Sequence, residues 1–95
     1  MDKRIVIIQE EVVAIKPIKN SEIAKALKEL SAFLTAEGVA FKPRAYEKAA
    51  LGIEGIEEEL SRIYEKGGQK ALEDLPGVGR GIAERIEELF KTGKV

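Results

Sequence analysis

A glycine-rich stretch, residues 75–83 with the sequence LPGVGRGIA, lies between a short helical turn and a well-patterned helix. Its three glycines occupy alternating positions, Gly77, Gly79 and Gly81. Because glycine has no Cβ, it allows a tight reversal of the chain and a positive φ, and it leaves the backbone N–H groups uncovered. The stretch therefore predicts a tight hairpin between two helices.

The predicted hairpin also has the chemistry of an anion site. The N–H groups that begin a helix lie at its electropositive end and can donate to a phosphate oxygen. Arg80 adds a full positive charge in the first turn, and Leu75 and Val78 are expected to anchor the hairpin to the core. The alternative is a tight turn whose glycines serve packing alone. A nucleotide-binding phosphate loop fits less well, because no strand precedes the stretch and no Gly-Lys-Ser/Thr sequence ends it.

Four helices are predicted around this hairpin. The first is the clearest, because Ile23, Leu27 and Leu34 recur on one face at helical spacing. The acidic run from Glu57 to Glu59 is interpreted as the solvated first turn of the third helix. The predicted helices run from Ser21 to Gly38, from Pro43 to Gly52, from Ile56 to the Gly67-Gly68 pair and from Gly79 to Gly93, with one further helical turn at 71–74.

Residues 1–19 differ in composition from the helical region, residues 20–95. Their apolar residues are almost all β-branched, which favours extended structure. A helical face through Ile5, Val12 and Ile15 is the alternative, since periodicity alone does not decide between the two. We therefore expect a short β-leaning extension before a helical domain.

Composition excludes several classes of function. The 95 residues contain no Cys and no His, which excludes disulfides, the usual zinc sites and imidazole catalysis. No apolar run reaches the roughly eighteen residues of a membrane helix, and the first residues do not resemble a secretory signal. We expect a cytoplasmic protein with no membrane partner. The net charge of −1 gives no general indication of nucleic-acid binding, so any such site must arise from local arrangement.

The hairpin sequence resembles a helix-hairpin-helix motif, a sequence-independent reader of the DNA backbone. More widely, residues 20–95 resemble the N-terminal eight-kilodalton domain of the X family of DNA polymerases, the polymerase beta-like proteins, in its prokaryotic form. The resemblance implies an all-α, SAM-like fold of four helices that binds DNA at gaps and 5′-phosphorylated ends, with association to the nucleoid. The matching stretches are residues 20–24, 41–50, 75–86 and 91–95.

The resemblance also indicates which residues form the site. One DNA backbone would lie on the hairpin, and a nearby 5′-phosphate would contact the second and last helices. We expect these helices to carry the positive side chains and the third helix to carry most of the Glu. A monovalent cation, Na⁺ or K⁺, is implied at the backbone carbonyls of Glu73, Leu75 and Val78. The expected DNA-binding residues are Gly77, Gly79, Arg80, Gly81, Lys42, Arg44, Tyr46 and Arg85.

One position departs from the resembled family. Many of its members remove a 5′-deoxyribose phosphate through a Schiff base on the lysine of an Ile-Ala-Glu-Lys-Ile string, but here Arg85 takes the lysine's place. A guanidinium stays protonated and cannot form that intermediate. No polymerase catalytic residues are present either. We therefore expect a non-catalytic DNA-binding module related to DNA repair.

Two alternatives remain open at the level of sequence. Lys42 or Lys48 would serve as a substitute amine if the chain is a lyase. Alternatively, the chain is a protein-interaction module that forms a homodimer through residues 1–18, whose exposed β-branched residues would otherwise be a liability. The same segment would instead simply cover the helical core if it packs on the domain.

Overall fold

The computed structural model describes residues 4–8 and 11–93, and the expectations for residues 1–3, 9–10 and 94–95 lie outside the described residues. Four helices form the bulk of this part of the chain, so the predicted all-α domain is confirmed. No described helix has the length and apolar character required to cross a bilayer. The elements are β1 (Arg4–Ile8), β2 (Glu11–Ile15), α1 (Asn20–Ala36), α2 (Lys42–Glu54), α3 (Leu60–Glu73) and α4 (Arg80–Thr92).

The core lies where the four helices meet, and it uses the apolar faces that the sequence predicts. α1 and α2 are antiparallel, with the Ser31 hydroxyl donating to the carbonyl of Pro43 at 2.8 Å. α3 and α4 join through stacked Tyr64 and Phe90 rings, whose centroids are 5.2 Å apart. The other buried core residues include Ile23, Leu27, Ala49, Ala50, Ile53, Leu60, Leu72, Ile82 and Ile86.

The N-terminal segment forms an antiparallel β-hairpin in which Arg4 pairs with Ile15 and Ile8 with Glu11. The extended structure favoured by its composition is therefore confirmed, and the alternative helical face is wrong. Ile15 is fully buried in the helical core, and the Lys16 N–H donates to the carbonyl of Phe90 at 2.7 Å. At its C-terminal end, the segment covers the core.

The third helix begins later than predicted. It starts at Leu60, so Glu57 and Glu58 belong to the preceding loop, and the proposed acidic first turn is wrong. The reason is a side chain from another helix: the Asn20 amide donates to the carbonyls of Ile56 and Glu58, at 3.3 and 2.9 Å. Because these carbonyls accept bonds from Asn20, residues 56–58 stay outside the helix and α3 begins at Leu60.

The glycine pair inside α3 marks a break, as the sequence indicates. Gly68 has a φ of +66° and a ψ of −158°, which interrupts the helix. Such a conformation suits glycine because it has no Cβ to clash. Beyond the break the chain continues helically to Glu73, so the predicted turn at 71–74 is the last part of α3. This short piece leads into the glycine hairpin.

Candidate nucleic-acid interface

The glycine hairpin, residues 74–81, comprises the connection from α3 to α4 and the first two residues of α4. Gly77 has a φ of +80°, the left-handed region that favours glycine. Val78 is buried, and its N–H donates to the carbonyl of Leu75 at 3.1 Å. Val78 and the partly buried Leu75 thus hold the hairpin against the helices, as predicted.

The other two glycines have no such internal requirement. A Cβ added at Gly79 or at Gly81 would meet no atom within 4 Å from the described residues beyond its chain neighbours and its own helix backbone. Gly79 has an ordinary φ of −85°, and Gly81 lies within α4. Glycine inside a helix costs roughly 0.5–1 kcal/mol relative to alanine, so a role in packing alone does not explain Gly81, whereas Gly79 stands at the N-cap, a position that glycine favours. Their common property is backbone open to an external group.

The start of α4 is arranged differently from a self-capped helix. Its N-cap is Gly79, which makes no side-chain cap bond, and no acidic residue lies in the first turn. The first helical hydrogen bond at this end runs from the Ala83 N–H to the carbonyl of Gly79 at 2.9 Å. The N–H groups of residues 80–82 precede that bond and form the electropositive end of the helix. Arg80 stands beside them with 80% of its side chain exposed.

A groove of about 350 Å³ runs from the start of α4 to the start of α2, and we call it the hairpin groove. It brings together three predicted site residues that are distant in sequence, Lys42, Tyr46 and Arg85, beside two hairpin glycines. Only the tertiary structure creates this neighbourhood. The groove is lined by Lys42, Ala45, Tyr46, Gly79, Gly81, Ile82, Glu84 and Arg85.

A second recess, of about 270 Å³, adjoins the hairpin groove because Lys42, Tyr46 and Arg85 line both. Its other lining residues are Leu30, Leu34 and Glu88, so we call it the apolar crevice. An anion held between Lys42 and Arg85 would therefore lie between the backbone of the hairpin and a partly apolar wall.

Arg85 is the cation most firmly built into the site. Its Nη1 donates to Oε1 of Glu88 at 2.9 Å. Two hydrogen bonds raise the pKa of the Arg85 guanidinium above its usual value, the larger contribution coming from Glu88 and the smaller one from Tyr46. Because these contacts favour the charged form, Arg85 remains a cation at any usable pH. It can bind a phosphate, but it does not supply a nucleophilic amine.

Arg44 does not line the hairpin groove. It lines another cleft, of about 530 Å³ on α2, together with Phe41, Pro43, Lys48 and Ala45, and only Ala45 is shared with the hairpin groove. Side chains at positions 42 and 44 of a helix project about 200° apart, because each residue turns the helix by about 100°. The structure thus places Arg44 apart from Lys42, Tyr46 and Arg85.

Phe41 has a conformation that nothing in the sequence signals. Its φ is +71°, the only positive value among described non-glycine residues. The Lys42 N–H donates to the carbonyl of Ala40 at 2.8 Å, closing a strained γ-turn around Phe41. Phe41 is 91% exposed and lines the α2 cleft.

The expected distribution of charge is wrong in one respect. Most Glu were expected on the third helix, but α4 carries three, at positions 84, 87 and 88, whereas α3 carries two, at positions 65 and 73. Arg80 lies 3.8 Å from Glu84, and Arg85 lies 2.9 Å from Glu88. The site is therefore less basic than its arginines suggest. The i,i+4 and i,i+3 spacing of these pairs was visible in the sequence.

The residues predicted to hold a monovalent cation lie at the end of α3 and in the glycine hairpin. Neutral carbonyl oxygens are suitable ligands for Na⁺ or K⁺, and the carbonyl of Leu75 accepts a hydrogen bond from the Val78 N–H at 3.1 Å. A carbonyl oxygen has two lone pairs, so this bond is compatible with a cation. No cluster of acidic side chains suited to a metal ion occurs in residues 4–8 and 11–93. The carbonyl site of Glu73, Leu75 and Val78 stays a prediction.

Comparison with known proteins agrees with this geometry. Residues 18–95 match the model of a family described as helix-hairpin-helix domain. A comparison with curated protein sequences gave no significant match. The narrower resemblance to X-family polymerases stays a prediction. The match covers all four helices and the glycine hairpin, and the chain belongs to the helix-hairpin-helix domain family.

Proposed function

We propose that this chain binds the sugar-phosphate backbone of DNA without reading its sequence. Helix-hairpin-helix domains generally bind DNA in this way. The observation that carries the proposal is the open backbone at Gly79 and Gly81, which lies at the uncapped, positively charged start of α4. Contacts to phosphate and sugar carry no direct sequence information.

One DNA strand would approach the glycine hairpin with a phosphate at the first turn of α4. The N–H groups of residues 80–82 would donate to its oxygens, and the exposed Arg80 would add charge. The absence of side chains at Gly79 and Gly81 would let the phosphate come close to the backbone. A cation at the carbonyls of Glu73, Leu75 and Val78 would reduce repulsion between those oxygens and the phosphate.

The second part of the proposal concerns DNA ends. A terminal 5′-phosphate in the hairpin groove would pair with Lys42 and Arg85 and accept a hydrogen bond from the Tyr46 hydroxyl. The hairpin and the groove share Gly79 and Gly81, so a backbone and a nearby end would be bound together. This arrangement supports a role at gaps and 5′-phosphorylated ends in DNA repair.

The proposed module is non-catalytic, and a lysine restored at the key position tests this part. Borohydride trapping on a 5′-deoxyribose-phosphate end should give no adduct with the natural chain. Arg85→Lys places an amine in the groove, and it should yield an adduct if the resemblance to the X family extends to lyase geometry. An adduct on the natural chain that Lys42→Ala or Lys48→Ala abolishes would instead establish a substitute lysine.

The main test is fluorescence anisotropy on a one-nucleotide-gapped duplex, with a 5′-phosphate or a 5′-hydroxyl, across a salt series. If two to four phosphates are neutralised, the logarithm of the binding constant should fall with the logarithm of salt concentration at a slope of roughly −2 to −4. The phosphorylated gap should bind more tightly than the hydroxyl gap.

The matched variants are Gly81→Ala and Gly55→Ala. Gly81→Ala meets no internal obstacle and should weaken DNA binding about tenfold, which corresponds to about 1.4 kcal/mol. Gly55 has an ordinary φ of −89° and lies at the opposite end of α2 from Lys42, so its variant should bind normally. Thermal unfolding would show that both variants are folded. Equal binding by all three proteins would overturn the proposed backbone contact at the hairpin.

Dimerisation is a separate proposal about the N-terminal β-hairpin. It is supported by Ile5 on β1, which is 68% exposed; an edge strand also offers unpaired backbone groups to a second chain. Light scattering of the full chain at rising concentration should show a dimer that Ile5→Lys dissociates. A monomer at every concentration would exclude this proposal.

A further inference from the structure

Glu88 occupies a position that the proposed function does not use. It lies on α4 one turn beyond Arg85 and lines the apolar crevice but not the hairpin groove. Arg85 lines both recesses and is paired with Glu88, so the side chain proposed to bind the phosphate is also the one that Glu88 contacts. The two side chains are joined at 2.9 Å and are 44% and 41% exposed, so both remain accessible to solvent and to a ligand.

A carboxylate in this position opposes the binding of an anion. Its negative charge lowers the electrostatic potential that Arg85 and Lys42 create in the groove, and it occupies part of the hydrogen-bonding capacity of the guanidinium. A phosphate that binds Arg85 must share or displace this bond. Exposed ion pairs have strengths that correspond to roughly a two- to fivefold change in an equilibrium constant.

The unfavourable effect of Glu88 on anion binding depends on the charge of the anion. A terminal phosphate monoester carries about −1.5 to −2 at neutral pH, whereas an internal phosphodiester carries a single negative charge. A lowered potential therefore disfavours the terminal phosphate more than the internal one. Glu84 also lines the hairpin groove, but its partner is Arg80, at 3.8 Å and 80% exposed, so it does not compete for Arg85.

We infer that Glu88 is an internal competitor for Arg85, which limits the affinity of the groove for phosphate and reduces its preference for 5′-phosphorylated ends. The inference rests on the proposed function, since it concerns the same groove. It identifies Glu88 as a residue that sets affinity and specificity, acting through Arg85. The opposite role, in which Glu88 orients Arg85 for the phosphate, predicts the opposite sign in the experiment.

The experiment compares Glu88→Gln with Glu47→Gln in the full chain. Both variants remove one negative charge, but Glu47 is an exposed residue of α2 that is not among those lining either recess. Glu88→Gln should bind the 5′-phosphorylated gap roughly two- to fivefold more tightly, with a smaller gain on the hydroxyl gap. Glu47→Gln should change both affinities by less than about twofold, because its charge is screened by solvent.

A double-mutant cycle with Arg85→Gln shows whether Glu88 acts through Arg85. The gain from Glu88→Gln should shrink markedly when Arg85 is already replaced, because only the direct effect of the charge on the groove then remains. A loss of affinity in Glu88→Gln, a gain equal to that of Glu47→Gln, or a gain of undiminished size without Arg85 would each overturn the inference. Failure of the natural chain to bind either gap at low salt would overturn the proposed function itself, so the two failures are distinguishable.

Discussion

The starts of α3 and α4 follow short connections of similar kind, yet their backbone groups are satisfied in different ways. At α3, Oδ1 of Asn20 accepts the Leu60 N–H at 2.7 Å, and the same amide donates to two loop carbonyls. The Asn20 N–H in turn donates to Glu59 at 3.1 Å. At α4, the N-cap is Gly79 without a side-chain cap, followed by the exposed Arg80.

The difference separates stability from binding. Polar groups paired inside the protein hold the fold together, because a buried donor without a partner costs about 1–3 kcal/mol. Donors at an exposed helix start are hydrated in the free protein and remain available to an anion. Substitutions at the start of α3 should therefore affect folding, whereas those at the start of α4 should affect DNA binding.

The largest expected effect is on folding, at Asn20. Asn20→Ala removes three side-chain hydrogen bonds around Leu60 and should lower the free energy of unfolding by about 2–4 kcal/mol. Chemical denaturation measures this loss. Asn20→Asp keeps the acceptor and should lose less. A loss below about 0.5 kcal/mol for Asn20→Ala would show that the α3 cap does not stabilise the fold.

The second prediction compares two glycines of the same hairpin. Gly77→Ala should lower the free energy of unfolding by about 1–2 kcal/mol, because its φ of +80° is unfavourable for alanine. Gly81→Ala should leave that free energy unchanged or raise it by up to about 1 kcal/mol, because alanine is the better helix former. Denaturant midpoints measure the free energy of unfolding of both variants. Equal losses of this free energy would contradict the assignment of Gly81 to ligand binding.

The third prediction concerns charge at the start of α4. Arg80→Glu should weaken binding to gapped DNA about tenfold at low salt and reduce the magnitude of the salt slope by about one. Arg62→Glu, on α3, makes the same change in net charge outside the hairpin groove. Anisotropy titrations should show a much smaller effect for Arg62. Equal effects would mean that net charge alone controls binding.

The smallest expected effect concerns the start of α2, which differs from the starts of both α3 and α4. Phe41→Gly removes a strained positive φ and a ring that is 91% exposed, so little apolar burial is lost. Relief of strain is partly offset by the greater flexibility of glycine in the unfolded chain. The free energy of unfolding should rise by about 0–1 kcal/mol in chemical denaturation. A clear loss would show that the Phe41 ring packs in solution.

The sequence indicated most residues of the site, but it did not indicate which of them lie together or which carboxylate lies beside them. Three alternating glycines in LPGVGRGIA indicated the hairpin, and the predicted phosphate contacts Lys42, Tyr46 and Arg85 do lie together. Arg44 does not join them, because two positions along a helix turn a side chain to another face. The carboxylate of Glu88 entered the site because it lies one turn from Arg85, a local spacing whose effect on a ligand depends on the fold around it.

Local patterns in the sequence determined the helices and their apolar faces and favoured an extended N-terminal segment, because periodicity, residue type and glycine chemistry act over a few neighbouring residues. The tertiary structure decided what depends on distant residues. Asn20 moved the start of α3 from residue 56 to residue 60 through hydrogen bonds that span about forty positions. The tertiary fold likewise brought residues 42 and 85, on α2 and α4, to one groove. Such contacts have no spacing rule in the sequence.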